Sequence, residues 1–547
     1  MQLVHKIATS LAAVGALVLA GAQPALSNSS PSSSTAAATG ENTTYIVLYN
    51  QKSLPADLSA RVGRADGTLV AGYDAIGVAI ARSTSTSFAT QMRSDGRVSG
   101  VAASRAIASV APSGAQMSDS HDQPSELPNS PATPDSLAAL QWDMRQISAP
   151  QAHAITGGSP SVVVGDIDTG LDKDHPDLQQ NIDFARSASC ESGVPNQDPA
   201  AWDDHHGHGT HTAGTIAAAD NGFGITGVAP NVKVAGIKAS NDDGYFFSHM
   251  VVCAFMWAGS QQMDVTNNSY YMDPYLYNCR NNADQRVLWK ATQRAALYAQ
   301  NQGVLHVAAQ GNDSDDRAHP TFDDSSPNFP PDAATERDIT NACVVVPLEL
   351  PGVVGVTSVG NTRQVDGDDD PNDYLKAYYS AYGVGVAEVT APGGDFFYGR
   401  GTEGQPFGLI LSTWPSDAPC GRSVKEDTAA GSTTYCYAQG TSMAAPHASG
   451  VAALIISRYG DLDNPQNGKM RPGSVAAYLQ QTADSQPCPT ELPLTGAPGS
   501  SRATRPYATA LRPDGQVQEC QGGAGYNSWY GNGQINALKA VTHRSGQ

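Results

Sequence analysis

The sequence predicts a large α/β region, a mostly parallel sheet covered by helices in three layers, preceded by a small α+β unit. Three observations carry this. Residues Ser161 to Asp168 (Ser-Val-Val-Val-Gly-Asp-Ile-Asp) form a short branched apolar run, the pattern of a strand buried on both faces of a parallel sheet. The stretches His208 to Ile216 and Gly440 to Ile456 run through small and then apolar residues, as helices buried on most faces do. Residues 45–110 alternate short strand-like and helix-like segments as a unit of their own.

Taken along the chain, Met1 to Ala25 has Lys6 near its start, an apolar run from Ile7 to Ala22 and small residues around Ala25 and Ser27, which together read as a signal peptide over residues 1–27. That run is too short to span a bilayer, and no other uninterrupted apolar stretch approaches about 20 residues, so release without a membrane anchor is expected. Tyr45 to Tyr49 reads as a strand, Ser53 to Gly63 as a helix, Thr68 to Val70 and Ile76 to Ala81 as two strands, Ser87 to Asp95 as a second helix and Val101 to Val110 as a closing strand. This is a β-α-β-β-α-β order within a domain spanning 43–111. Residues 112–137, rich in Ser, Pro and Asp, form a linker, and 138–547 form the large α/β region. There, Asn241 to Ala295 and Val304 to Ala308 supply further helices and strands. The stretches Arg317 to Val344 and Gln486 to Tyr526 carry Pro, Asp, Asn and Gly and read as surface additions.

Gly440-Thr441-Ser442-Met443-Ala444-Ala445-Pro446-His447 sets a serine at a glycine-hinged turn that opens a helix. Unpaired N–H groups and the positive end of the helix dipole favour negative charge beside Ser442, and Pro446 is expected in the first turn, where few donors are lost. A serine hydroxyl is a poor nucleophile alone, so it requires a general base and a group that orients the base. His208, between glycines at the start of a small-residue helix, and Asp168, at a strand end before Thr169-Gly170, supply both. The glycines allow close approach of two backbones.

With Asp168-Thr169-Gly170, His208-Gly209-Thr210-His211-Thr212-Ala213-Gly214-Thr215 and the Ser442 segment in that order, the chain resembles the subtilases, the subtilisin-like serine proteases. Ala149-Pro150, His175-Pro176-Asp177-Leu178, Gly227-Val228-Ala229-Pro230, Ala308 to Asn312, Ala391-Pro392-Gly393 and Gly531 to Asn536 extend the likeness from about residue 138 to the C-terminus. The resemblance implies a secreted endopeptidase in which Ser442 attacks the scissile carbonyl, His208 moves the proton, Asp168 orients the imidazole and Asn312 supplies an oxyanion donor. It implies substrate contacts from Ser269, Tyr270, Tyr271, Ala308, Ala309 and Gly311. It makes the 43–111 domain an inhibitory propeptide, removed by cleavage near or inside the linker. No cofactor serves catalysis, but one structural calcium is implied, held by Asp177, the Asn221 side chain and the carbonyls of Ala219, Phe223 and Ile225, with the remaining oxygens from the mature N-terminus or water. Partners are polypeptide substrates and the chain's own propeptide, with no nucleic acid and a monomeric state. The family's usual Ser-Leu-Gly-Gly edge is here Asn268-Ser269-Tyr270-Tyr271-Met272, so Tyr271 and Met272 narrow a neighbouring subsite or reorient the strand, unless both turn away under the Cys279 loop.

Each assignment has a competitor. Asp166, Asp172 and Asp174 flank Asp168, and Asp166 reads as a hydrogen-bonded neighbour rather than the partner of His208. His205, His206 and His211 crowd His208, yet no His-Glu-x-x-His pattern follows, so they read as loop and packing residues; His447 reads as structural. An α/β-hydrolase would need Gly-x-Ser-x-Gly and the order Ser, Asp, His, which this chain lacks. A catalytically silent or exopeptidase-type relative with a partly occluded cleft is the alternative. The net charge of −20 argues against nucleic acid or an anionic membrane as partner. Eight cysteines in a secreted chain imply up to four disulfides, among which Cys420–Cys436 and Cys488–Cys520 are expected as local closures. Asp366-Gly367-Asp368-Asp369-Asp370 reads as a solvated surface loop.

Overall fold

The computed structural model describes residues 42–105, 135–361, 375–396, 408–428, 431–463, 468–489 and 511–543. The stretch read as a signal peptide, most of that read as a linker, residues 106–110 of the expected closing strand and the segment Asp366 to Asp370 lie outside the described residues.

The first unit is a four-stranded antiparallel sheet of β1 (Thr43–Tyr49), β2 (Gly67–Tyr73), β3 (Val78–Ser83) and β4 (Val98–Arg105), in the order β2-β3-β1-β4. Two helices, α1 (Leu58–Arg64) and α2 (Phe88–Arg93), complete the expected β-α-β-β-α-β succession. Period-2 alternation explains how its sheet is sandwiched. Tyr45, Val47 and Tyr49 face Leu58, Val62, Phe88 and Met92 of the helices, while Ile46, Leu48 and Ile80 join a core shared with the second unit.

The second unit centres on a seven-stranded sheet. Its strands are β5 (Val163–Asp168), β6 (Ala188–Ser189), β7 (Lys233–Lys238), β8 (Val265–Asn268), β9 (Leu305–Ala309), β10 (Val353–Val359) and β11 (Val389–Pro392), ordered β11-β10-β9-β8-β5-β7-β6 with every neighbouring pair parallel. Helices cover both faces, as parallel strands buried on two sides require. On one face lie α3 (His208–Ala217) and α6 (Thr441–Tyr459), whose Ile216, Val451, Leu454 and Ile455 pack with Val164, Val307 and Val356. On the other lie α4 (Ser248–Ser260) and α5 (Ala283–Asn301), whose Met250, Phe255, Ala291 and Ala295 pack with Ile237 and Ala308. Removing one such fully buried leucine, Leu454 for example, costs about 2–5 kcal/mol. A hairpin of β13 (Ser423–Thr428) and β14 (Gly431–Ala438) pairs with β12 (Ile410–Trp414) beside α3.

The strand order reverses at β5, with β7 on one side and β8 on the other. In such sheets the crevice beyond the carboxyl ends of the strands at the reversal is where side chains from separate loops converge. Asp168 ends β5, Ser269 follows β8 and Asn312 follows β9, so all three lie at that edge. Cysteines pair as Cys190–Cys253, Cys279–Cys343, Cys420–Cys436 and Cys488–Cys520, the last two matching the local closures expected from the sequence.

The small unit rests on α4 and α5. Arg294 donates through Nη1 to Tyr49 O and Ile76 O, each at 2.9 Å, which satisfies carbonyls at a strand end and at a turn. Ser104 Oγ lies 2.8 Å from His249 Nδ1, and Tyr73 Oη donates to Gly193 O at 2.8 Å.

Candidate active site

Close backbone approach sets the first half of the site. A Cβ on Gly209 would meet Gly170 O at 2.1 Å, so a glycine there lets the start of α3 lie against the turn that follows β5. His208 Nδ1 consequently reaches Asp168 Oδ1 at 2.7 Å. Asp166 faces elsewhere: it accepts from Thr212 Oγ1 at 2.7 Å and Asn267 Nδ2 at 2.9 Å. Burial, then the neighbouring Asp168, pushes the Asp166 carboxyl well above the ordinary range. For His208 burial works against the imidazolium, but the charge and hydrogen bond of Asp168, with Asp166 and Asp204 behind, outweigh it and leave its pKa raised.

Asp204 went unrecognised in the sequence. Its Oδ1 accepts from His206 N, Gly207 N and Thr169 Oγ1, each at 3.0 Å, and its Oδ2 accepts from Thr210 N at 2.9 Å and Thr210 Oγ1 at 2.7 Å. Burial favours the neutral acid, but these donors win and hold its pKa below the ordinary value. A carboxylate just ahead of a helix start is the signal that points to it.

The second half comes from α6. Pro446 lies a full turn inside this helix, beyond the first turn expected for it, and has no N–H to offer the carbonyl of Ser442. Ser269 Oγ donates to Ser442 O instead, at 3.0 Å. The Ser442 hydroxyl in turn donates to Ser269 O at 3.2 Å rather than to His208. Asn312 Oδ1 accepts from Thr441 N at 2.8 Å and Thr441 Oγ1 at 2.9 Å, which leaves the amide Nδ2 as the group this side chain offers the cleft.

A cleft of about 430 Å³ joins these groups. Its walls include His208, Ser442, Asn312, Ser269, Tyr270, Tyr271, Ala309 and Gly311. Ala308 is a correction. Strand alternation turns it to the opposite face of β9, where it is fully buried in the core. Tyr271 and Met272 part company: Met272 is buried against Thr292, while Tyr271 faces the cleft and its hydroxyl accepts from Asn328 Nδ2 at 2.8 Å. Phe246 stacks on Tyr270 with centroids 4.3 Å apart, an aromatic wall the sequence did not announce. His206, in the loop ahead of α3, also lines this cleft, its ring 6.4 Å from that of His208. His211 is a packing residue, with Nε2 3.1 Å from Ile410 O and from Cys436 O, and His447 Nε2 lies 2.9 Å from buried Asp143. His205 is exposed beside Asp417.

The residues expected to hold calcium lie together. Asp177 is fully buried, and among the described residues no cation pairs with it. Ala219 and Ile225 are equally buried, and their carbonyl oxygens accept no hydrogen bond among the described contacts. A buried carboxylate beside two buried carbonyls is the donor chemistry a hard cation takes, so the residues fit a calcium ion, with Asp177 Oδ2 also accepting from Ile225 N at 2.9 Å and Tyr435 Oη at 3.1 Å. Asn221 departs from the expected arrangement, since its Nδ2 meets Asp177 Oδ1 at 3.0 Å and its Oδ1 accepts from Phe223 N at 3.2 Å. Ligation through that oxygen requires the amide to turn over. Among the described residues no group of three or more His, Cys, Asp or Glu side chains is arranged around a metal position.

The model of the subtilase family matches residues 159–533. Fervidolysin of Fervidobacterium pennivorans is 28% identical over 355 residues, which is 62% of this chain but 40% of that relative's length. Subtilisin BL of Lederbergia lenta is 29% identical over 369 residues, covering 67% of this chain and 99% of its own. Among solved structures, the epidermin leader peptide processing serine protease of Staphylococcus aureus has a TM-score of 0.60 at 21% identity, over 92% of this chain and 100% of that one. The fervidolysin crystal structure has a TM-score of 0.58 at 22% identity, over 92% and 62% of the two chains. At these identities the structural likeness speaks for the fold alone.

Proposed function

The chain belongs to the subtilase family, and from that premise we propose that it is a secreted serine endopeptidase that matures by losing its N-terminal unit. The reading is supported above all by the 2.7 Å contact of His208 Nδ1 with Asp168, in a cleft that Ser442 and Asn312 also line.

In this mechanism the Ser442 hydroxyl turns from Ser269 O toward Nε2 of His208 and attacks the scissile carbonyl carbon as His208 takes its proton. Asp168 keeps the imidazole in the required tautomer and stabilises the imidazolium without being protonated. Asn312 Nδ2 and the Ser442 backbone N–H carry the oxygen of the tetrahedral intermediate; removing such a donor from a subtilisin costs about 10²–10³ in kcat. His208 returns its proton to the leaving amine, and water, deprotonated by His208, releases the acyl group.

The propeptide reading of residues 43–111 draws on their independent core and on the contacts of Arg294 and Ser104 with and around α4 and α5. Secretion is inferred from the apolar leader and from cysteines paired in four disulfides, which persist in oxidising compartments. When bound, calcium would be held by Asp177, Ala219, Asn221, Phe223 and Ile225 and would neutralise the buried carboxylate, tying the loop Ala219–Ile225 to the segment after β5.

Expression of the full chain beside Ser442→Ala tests the reading. The wild type is expected to lose the mass of its N-terminal unit and digest an unfolded protein, and the variant to do neither. Digestion by the variant at the wild-type rate would sink it.

A further inference from the structure

The turn that carries Asn312 is gripped by a side chain with no exposed surface. The Arg317 guanidinium donates through Nε to Gln310 O at 3.2 Å, through Nη1 to Asp313 Oδ2 at 2.8 Å and through Nη2 to Asp313 Oδ1 at 2.5 Å. Nη1 also donates to Tyr277 Oη at 2.6 Å, the Tyr277 ring lies 5.0 Å from the guanidinium carbon, and the Tyr277 hydroxyl in turn donates a hydrogen bond to Asp315 Oδ2. Gly311, at φ 112°, completes the seat. A Cβ on that residue would come within 2.2 Å of Nη2, so the guanidinium lies against the bare Cα. Arg317 therefore touches residues 310, 311 and 313, on both sides of Asn312.

A buried ion pair is a weak device for stability, because desolvating both ions offsets much of their attraction. Its use here is geometric. A planar fork that satisfies both oxygens of one carboxylate and a neighbouring carbonyl fixes direction as well as distance, which a lysine cannot do. Thr441 holds Asn312 Oδ1 from the other side, at 2.8 and 2.9 Å, so the position of Nδ2 is set between α6 and the Arg317 clamp.

We propose that Arg317 is a positioning residue for the oxyanion donor: it fixes the Gln310–Asp313 turn so that Asn312 Nδ2 stands where the tetrahedral oxygen forms. This rests on the reading of Asn312 as that donor. Arg317 borders the cleft, but its side chain has no exposed surface, so it acts through Asn312.

The test is a double-mutant cycle on the full chain. Arg317→Lys is expected to lower kcat by about 10- to 100-fold, within the range that losing the whole donor costs, with KM changed less than about twofold. In an Asn312→Ala background the same change is expected to alter kcat less than about twofold, since the group it positions is gone. Asp313→Asn, which loosens the fork at a partly exposed carboxylate, is expected to repeat both results and decides the matter if Arg317→Lys does not fold. Wild-type kcat in the folded variants, or losses that add in full to that of Asn312→Ala, would overturn the proposal while leaving the oxyanion reading in place. An Asn312→Ala variant with undiminished kcat would overturn both.

Discussion

Ser269 and Ser442 exchange two hydrogen bonds, each hydroxyl donating to the other's carbonyl oxygen, at 3.0 Å from Ser269 and 3.2 Å from Ser442. The first exists because Pro446 cannot fill the acceptor that an ordinary helix residue would fill. Ser269→Ala is expected to leave that buried carbonyl unpaired, to lower stability by about 1–3 kcal/mol and to lower kcat with it. Thermal unfolding and steady-state kinetics on the one variant check both, and an unchanged melting temperature would mean the acceptor is satisfied some other way.

The two aspartates of β5 are separable. Asp168→Asn is expected to lower kcat by about 10⁴, the loss known for the equivalent change in another triad protease. Asp166 bonds Thr212 and Asn267 rather than His208, so Asp166→Asn is expected to stay within about tenfold of the wild type. The reverse ranking in kcat would exchange their roles.

Activity should fail on the acid side above the ordinary histidine value. His208 acts as a base only when neutral, and its pKa is raised above 6.5, so the acid limb of kcat/KM is expected to have its midpoint above 6.5. The sign for stability is opposite. Its contribution is complete below 6.5 and fades as pH rises through the folded value, so the pH range of turnover is where this contribution weakens. A pH–rate profile with its acid midpoint below 6.5 would contradict the electrostatic account.

Calcium is expected to act on stability rather than on chemistry. Chelation should lower the melting temperature of the wild type, and calcium restore it, while Asp177→Asn should no longer respond. Equal melting temperatures of the wild type with and without chelator would remove the site.

Local signals made much of this molecule legible. The branched run ending at Asp168 and the small-residue helices opened by His208 and Ser442 announce themselves because strand and helix periods are read within one segment. What stayed hidden depends on which face of an element meets another. Ala308 and Ala309 are indistinguishable in a strand buried on both sides, where no polar alternation marks the faces. The Ser269–Ser442 exchange, the Phe246–Tyr270 stack and the grip of Arg317 on Asn312's turn join residues far apart in the chain or across a loop with no periodic pattern. Asp204 is the exception that a closer reading of the helix start would have found.

The central claim, that Ser442 is a nucleophile activated by His208, is tested most directly by locating the adduct of a serine-directed phosphonate in the matured protein by peptide mass spectrometry. The account predicts one adduct, on the peptide containing Ser442, formed by the wild type and lost in His208→Ala when an added protease has removed the N-terminal unit from both. No adduct on Ser442, or equal labelling in the two proteins, would contradict it.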